Sequence, residues 1–279
     1  MGKSTQPLTL KYFDLSTLPR DATIMVYGKR GSGKSIFVKD MMYHLQDIPR
    51  GIVISASEKH RPFYSDFIPD TFIFYEYDPE ILAKIALRQQ EQVKADGGPT
   101  PKNNTFIVMD DVLSDVQTWK RDKTLRSFFL EGRHMSIFYC IVMQYSLALP
   151  PDLRSNFDYI FIFRDNSLDN RDKLYKNFGG PIGDRKMFDA MMDQGTSDNH
   201  CIVINNKSLS NKIEDCFFVY KAKLHPEKFR VGCSSYWKAH DENYKPREEE
   251  EAERLEEERR LAQEGSRSVK IVIRSRGGK

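Results

Sequence analysis

The chain has 279 residues, 39% hydrophobic and 30% charged, enough for one large domain with a sizeable core. Its formal net charge of +3 is too small to imply nucleic-acid binding by itself. Four cysteines, Cys140, Cys201, Cys216 and Cys233, contain no Cys-x-x-Cys pair, which argues against a cysteine zinc site or redox motif and fits a reducing compartment. The N-terminus carries no apolar signal core, and the longest apolar run, Ile137–Met143, is far short of the ~20 residues a bilayer demands. The expectation is a soluble, intracellular protein with no transmembrane segment.

In chain order, apolar runs at 23–27, 51–55, 71–75, 105–109, 137–143, 159–163 and 201–204 predict strands. Helical patterns fill 33–46, 79–95, 122–133, 168–178 and 184–193, with Pro79 suited to a first helical turn. Residues 217–220 fit a late edge strand. Near-continuous apolar strands separated by helices predict an α/β fold whose central sheet is mainly parallel and flanked by helices. After Pro246 the composition changes. Residues 247–264 carry nine acids and four bases, and 265–279 carry five bases and no acid. The favourable spacings Glu250–Arg254 and Glu256–Arg260 support a solvated helix. The organisation read from the sequence is therefore a P-loop domain over 1–246 and a charged, helical or disordered tail over 247–279.

Gly28-Lys29-Arg30-Gly31-Ser32-Gly33-Lys34-Ser35 matches G-x-x-x-x-G-K-[ST] between a strand and an amphipathic helix with Ile36, Phe37, Met41 and Leu45 as apolar positions. The glycines let backbone N–H groups turn inward on phosphates, and the helix N-terminus adds partial positive charge. Lys34 then reaches the β- and γ-phosphates of ATP, and the Ser35 hydroxyl ligates Mg2+.

Such a loop needs a carboxylate site on a neighbouring strand, and Thr105-Phe106-Ile107-Val108-Met109-Asp110-Asp111 provides it. Four apolar residues ending at an acid place Asp110 at the carboxyl edge of the sheet. Asp110 would hold magnesium through its water, and Asp111 would polarise the attacking water. Gln144, ending the strand 137–143, is a candidate for sensing the γ-phosphate or orienting water. Arg133 and Arg154 compete as the cation that stabilises transition-state charge, in their own site or a neighbour's, both expected near the carboxyl edge. Other nucleotide classes fit worse. Asn206-Lys207-Ser208-Leu209 lacks the acid of a guanine-reading Asn-Lys-x-Asp, and no Leu-Ser-Gly-Gly-Gln-like run is present.

Four stretches beyond the P-loop are more particular. They are Phe63-Tyr64-Ser65-Asp66-Phe67-Ile68-Pro69-Asp70; Ile107-Val108-Met109-Asp110-Asp111; Gly132-Arg133-His134-Met135-Ser136-Ile137 with the downstream Gln144; and Pro151-Asp152-Leu153-Arg154-Ser155-Asn156-Phe157-Asp158-Tyr159. In this order and spacing, over roughly residues 20–180, they resemble the virion DNA-packaging ATPase family of large double-stranded DNA viruses, the poxvirus-type branch of the FtsK–HerA superfamily. The resemblance implies a RecA-like P-loop NTPase core and a homo-oligomeric ring. It implies ATP-driven movement of double-stranded DNA into a capsid, at assembly sites in the host cytoplasm and in the virion, with capsid or virion membrane proteins as partners. That superfamily often carries Glu where Asp111 stands. Lys59-His60-Arg61 and Lys120-Arg121-Asp122-Lys123 are basic clusters available to face DNA. Two alternatives stand beside the packaging motor: a HerA-like DNA-processing ATPase or helicase, and a non-motor P-loop nucleotide switch or kinase.

Overall fold

A computed structural model describes residues 8–112, 122–144 and 151–246, and in the tail Glu249, Ala252, 255–257 and 259–262. The chain forms two compact units, Met1–His240 and Asp241–Lys279. The described tail residues beyond 248 are helical and exposed.

The first unit is built on one nine-stranded sheet among the described residues. Its strands are β1 (Lys11–Tyr12), β2 (Thr23–Tyr27), β3 (Arg50–Ser55), β4 (Ile73–Phe74), β5 (Thr105–Asp110), β6 (Ile137–Met143), β7 (Tyr159–Ile162), β8 (His200–Asn205) and β9 (Phe217–Lys221). Their order across the sheet is β1-β9-β8-β7-β2-β6-β5-β3-β4. All pairings are parallel except those of β8, which runs antiparallel to both β7 and β9. The expectation of a mainly parallel sheet holds, and β8 shows where it bends. A single helix returns the chain to the amino edge, so the next strand is parallel. Between β7 and β8 the chain makes two helices, α5 (Leu168–Phe178) and α6 (Arg185–Gly195), which reverse it twice. Strand β8 therefore starts at the carboxyl edge.

The remaining helices are α1 (Lys34–His44), α2 (Pro79–Ala95), α3 (Lys123–Glu131), α4 (Pro151–Arg154), α7 (Ile213–Cys216) and α8 (Ser234–Asn243). Short acids and a hydroxyl start four of the helices. The Asp78 side chain accepts from Glu80 N ahead of Pro79. Asp122 accepts from Thr124 N and Leu125 N at α3, Ser167 from Asn170 N at α5, and Asp184 from Lys186 N at α6. Each satisfies N–H groups that the helix itself leaves unpaired. The expected strand over 71–75 shortens to Ile73–Phe74, because Asp70–Phe72 coils into a 3-10 turn.

Both faces of the sheet are covered, so its strands read as continuous apolar runs yet still alternate in direction. In β2, Met25 and Tyr27 enter the core layer that includes Leu82 of α2, Phe128 of α3 and Leu174 of α5. Ile24 and Val26 enter the opposite layer, with Phe37 and Met41 of α1. Phe37 seats α1 on the sheet, its ring centroid 4.4 Å from that of Phe161 on β7. Ile36, expected on the apolar face, points outward and is 45% exposed.

Phe37 thus couples the helix that starts in the P-loop to the strand beside it. Phe37→Ala should lower unfolding free energy by about 3–5 kcal/mol, the usual cost of emptying an aromatic core position. Urea titration reads it directly, and a loss below about 1 kcal/mol would mean that α1 is held elsewhere.

Candidate functional site

The P-loop leaves β2 at Tyr27, and Gly28 N donates to Met143 O on β6 at 3.2 Å. A side chain at Gly28 would put its Cβ 2.6 Å from both Phe163 Cβ and Ser32 Oγ, so the loop can close only with glycine there. Gly33 has φ +101°, left-handed backbone that glycine adopts without penalty, and α1 begins at the next residue. Lys34 Nζ lies across this loop and donates to Gly28 O at 2.6 Å and Lys29 O at 2.8 Å. Burial lowers the Lys34 pKa, against the pull of Asp110 and Asp111. Ser32 Oγ is buried with no hydrogen-bond partner among the described residues. An orphaned hydroxyl inside a ring of inward N–H groups is a fit for a phosphate oxygen. Lys29, exposed on the loop's outer side, pairs at 3.2 Å with buried Asp165. Burial raises the Asp165 pKa, but hydrogen bonds from Tyr27, Ser167, Asn170 and Lys29 outweigh it and hold the acid ionised. Arg30 and Gly31 form the exposed tip, and Ser35 opens outward in the first turn of α1.

The acids do not stand on the strand next to β2. β6 lies between β2 and β5, so Gln144 at its end is set between the P-loop and the acid pair. Asp110 ends β5 and accepts from the buried Tyr64 hydroxyl through Oδ2 at 2.9 Å. Burial pushes its pKa up to about 6, aided by Asp111 and countered by Tyr64 and Lys34. Ser35 and Asp110 offer hard oxygens, the donor type that suits Mg2+. Asp111 turns into left-handed backbone at φ +55° and donates its N–H to Val142 O. That turn swings its carboxylate to Gln144, whose Nε2 donates to Asp111 Oδ2 at 2.6 Å. The two residues expected to manage water are therefore hydrogen-bonded to one another.

The arginines lie elsewhere. Arg133 precedes β6 and forms an ion pair with Asp158, whose other oxygen accepts from Thr23 N at 2.9 Å. Thr23 is the first residue of β2, so this is the amino edge, a strand's length of ~13 Å from the P-loop. Arg154 ends helix α4, half-exposed and without an ion pair among the described residues. Its successors Ser155 and Asn156 line the same amino-edge cavity as Arg133, His134, Asp158 and Lys207, of about 510 Å³. The expectation of carboxyl-edge arginines is corrected. Both precede their strands, and a residue before a parallel strand falls at its amino end.

Three further residues at the carboxyl edge escaped the sequence reading. Tyr64 orients Asp110. Glu58 is buried and accepts from Phe63 N, Tyr64 N and Ser65 N, which fixes the turn that presents Tyr64. The stretch from Phe63 to Asp70 was the available signal, although nothing in it tells which residue faces the site. Asn199 lies beside Gly33, its Cβ 3.8 Å from where a Gly33 Cβ would stand. Only the antiparallel course of β8 brings it there. Of the basic clusters, Lys59, His60 and Arg61 are exposed just beyond the carboxyl end of β3, while Lys120 and Arg121 lie outside the described residues.

Because the folded protein holds the Asp110 proton more tightly than the unfolded chain does, this group destabilises the fold increasingly as pH rises from 3.8 through about 6. Asp110→Asn should therefore raise the nucleotide-free melting temperature near neutral pH, by about 2 °C or more, while weakening magnesium-dependent ATP binding. Asp111→Asn should leave binding intact and slow turnover by about 10²–10⁴-fold. Calorimetric melting and ATPase rates test the split. An unstabilised Asp110→Asn with normal magnesium dependence would contradict this reading of Asp110.

Known proteins resemble this chain in sequence and in fold. The family model described as Poxvirus A32 protein matches residues 10–225. "Uncharacterized protein L437" of Acanthamoeba polyphaga mimivirus is 37% identical over 242 residues, covering 85% of this chain and 84% of that protein. "Uncharacterized protein 088R" of Invertebrate iridescent virus 3 is 34% identical, covering 76% and 81%. Among solved structures, the genome packaging NTPase B204 of Sulfolobus turreted icosahedral virus 2, in complex with AMPPCP, aligns with TM-score 0.54 at 14% identity, covering 74% of this chain and all of that one. That likeness is one of fold, the mostly parallel α/β arrangement of P-loop ATPases. Matched over most of its length, the chain belongs to the Poxvirus A32 protein family.

Proposed function

We propose that this chain is an ATP-hydrolysing motor that moves double-stranded DNA and packages a viral genome into a capsid. One observation carries the reading. The phosphate loop with Lys34, the Tyr64-held Asp110 and the Asp111–Gln144 pair converge on a single sheet edge, in a chain of this family. The solved B204 structures, in complex with AMPPCP and with ATP-gammaS, support nucleotide binding by this fold.

The chemistry follows from charge. Loop N–H groups and Lys34 would bind the β- and γ-phosphates, and Ser35 and Asp110 would hold a magnesium ion, which would neutralise phosphate charge. Asp111 accepts a proton from the attacking water while Gln144 holds its carboxylate in line. The water oxygen bonds to the γ-phosphorus as the bond to the ADP oxygen breaks. Charge building on the γ-phosphoryl oxygens calls for a further cation. Arg133 and Arg154, at the far edge of the sheet, are suited to a neighbouring copy's nucleotide, as in a ring. The exposed Lys59-His60-Arg61 run at the nucleotide edge is the proposed contact to DNA phosphates, and the charged tail the proposed surface for capsid or virion membrane proteins. The motor would work at assembly sites in the host cytoplasm and enter the virion.

Long duplex DNA should raise the ATPase rate several-fold, and added salt should abolish the increase steeply as phosphate contacts are screened. Arg133→Ala and Asp111→Asn chains, each inactive alone, should regain hydrolysis when mixed, because one mixed interface joins a sound carboxylate to a sound arginine. The same mixture made with Arg154→Ala tests the second candidate. A rate indifferent to DNA, with both arginine variants fully active, would overturn the motor and leave a nucleotide switch.

A further inference from the structure

Helix α1 carries a second constellation at the end away from the P-loop. Asp40 and His44, one turn apart, project from the same face, and His225 reaches them from the segment after β9. A carboxylate oxygen of Asp40 and one ring nitrogen each of His44 and His225 all lie within 4.8 Å of one another. His225 Nε2 stands 2.7 Å from Asp40 Oδ1, and His44 Nε2 stands 3.6 Å from it.

The carboxylate is oriented by other groups. Asp40 is fully buried, and its Oδ2 accepts from the Tyr220 hydroxyl at 2.6 Å and from Lys223 N at 2.7 Å. Those two donors use up Oδ2 and leave Oδ1 turned towards both imidazoles. Outer hydrogen bonds that fix a carboxylate so that one oxygen faces converging nitrogens are the usual surroundings of a metal ligand. The His225 ring is held flat against Tyr43, centroids 3.7 Å apart at 14°, with Phe229 edge-on to Tyr43. Both histidines keep some exposure, 24% and 14% of their side chains, so a water can complete the set.

The geometry points to a transition-metal site at Asp40, His44 and His225, of the kind that takes Zn2+. Two imidazoles, one carboxylate and a water make a tetrahedral zinc set, and no oxygen-rich cage for magnesium or calcium is formed there. Ligand atoms around tetrahedral zinc sit about 3.3 Å apart, so His225, now 2.7 Å from Asp40 Oδ1, needs to retreat from it by less than ~1 Å, and His44, at 3.6 Å, to close on it by less than ~0.5 Å. The ion would pin the P-loop helix to the chain that follows β9. Its role is structural and separate from the chemistry at Lys34 and Asp110.

The test uses the full chain stripped with a chelator and titrated with zinc chloride, magnesium being kept in large excess to occupy the nucleotide-site carboxylates. One tightly held zinc per chain is expected by elemental analysis. Cobalt chloride in its place should give the intense visible absorption of a four-coordinate nitrogen–oxygen site. His44→Gln and His225→Gln should each weaken zinc binding about 10-fold or more, while Cys233→Ser, which removes the one described thiol that is not buried, changes nothing. If either glutamine variant misfolds, ¹⁵N signals of the imidazoles in the unaltered protein decide, since zinc must move both. Failure to bind zinc, equal binding by folded glutamine variants, loss with Cys233→Ser instead, or unmoved imidazole signals would each overturn the site.

Discussion

Parallel strands have a direction, and this protein depends on it. With β7, β2, β6, β5 and β3 aligned, every loop that follows a strand opens on one edge. There the backbone must supply N–H groups to phosphate, since anions are recognised most cheaply by a helix N-terminus with a turned loop before it. Each feature of the site serves that contact: the closeness of Gly28 to Phe163, the left-handed Gly33, and the seating of α1 by Phe37 on Phe161. The register of β2 with β6 and of β6 with β5 then sets how far the acids stand from the loop.

The site also holds unfavourable electrostatics. Burial pushes Lys34 towards its neutral amine and Asp110 towards its neutral acid, although each lowers the cost of the other. Ser32 keeps a buried hydroxyl without a partner among the described residues, and Asp111 takes backbone that few L-residues adopt. A phosphate with its cation relieves the first three, giving acceptors to Lys34 and Ser32 and positive charge to Asp110. Stability given up in this way is returned as binding free energy, which is how a site can be pre-organised for a highly charged ligand.

Much of this was legible in the sequence because it is local. The P-loop glycines and the apolar run ending at Asp110 each act within a few residues, so spacing reveals them. The long helices were found for the same reason. What escaped was set by the course of the chain across the sheet. The insertion of β6 between β2 and β5 and the reversal of β8 leave no trace in periodicity. As a result Tyr64, Glu58 and Asn199 could not be assigned to the site, and Asp111 and Gln144 could not be known to touch. The arginines show the same limit from the other side. Arg133 and Arg154 read as edge residues, but which edge depends on whether they precede or follow a parallel strand, and both precede one.

The sheet thus has two chemically different ends, an edge bearing the P-loop and Asp110 and an edge bearing Arg133 in its pair with Asp158. The account stands on the first of them. Titration calorimetry of magnesium-ATP with wild type and with Lys34→Ala tests it most directly. Loss of a charge-assisted contact in an enclosed loop predicts an affinity lower by about 2–3 kcal/mol, roughly 30- to 150-fold, in a variant that still folds. Equal affinity in the two proteins would place the nucleotide elsewhere and contradict the account.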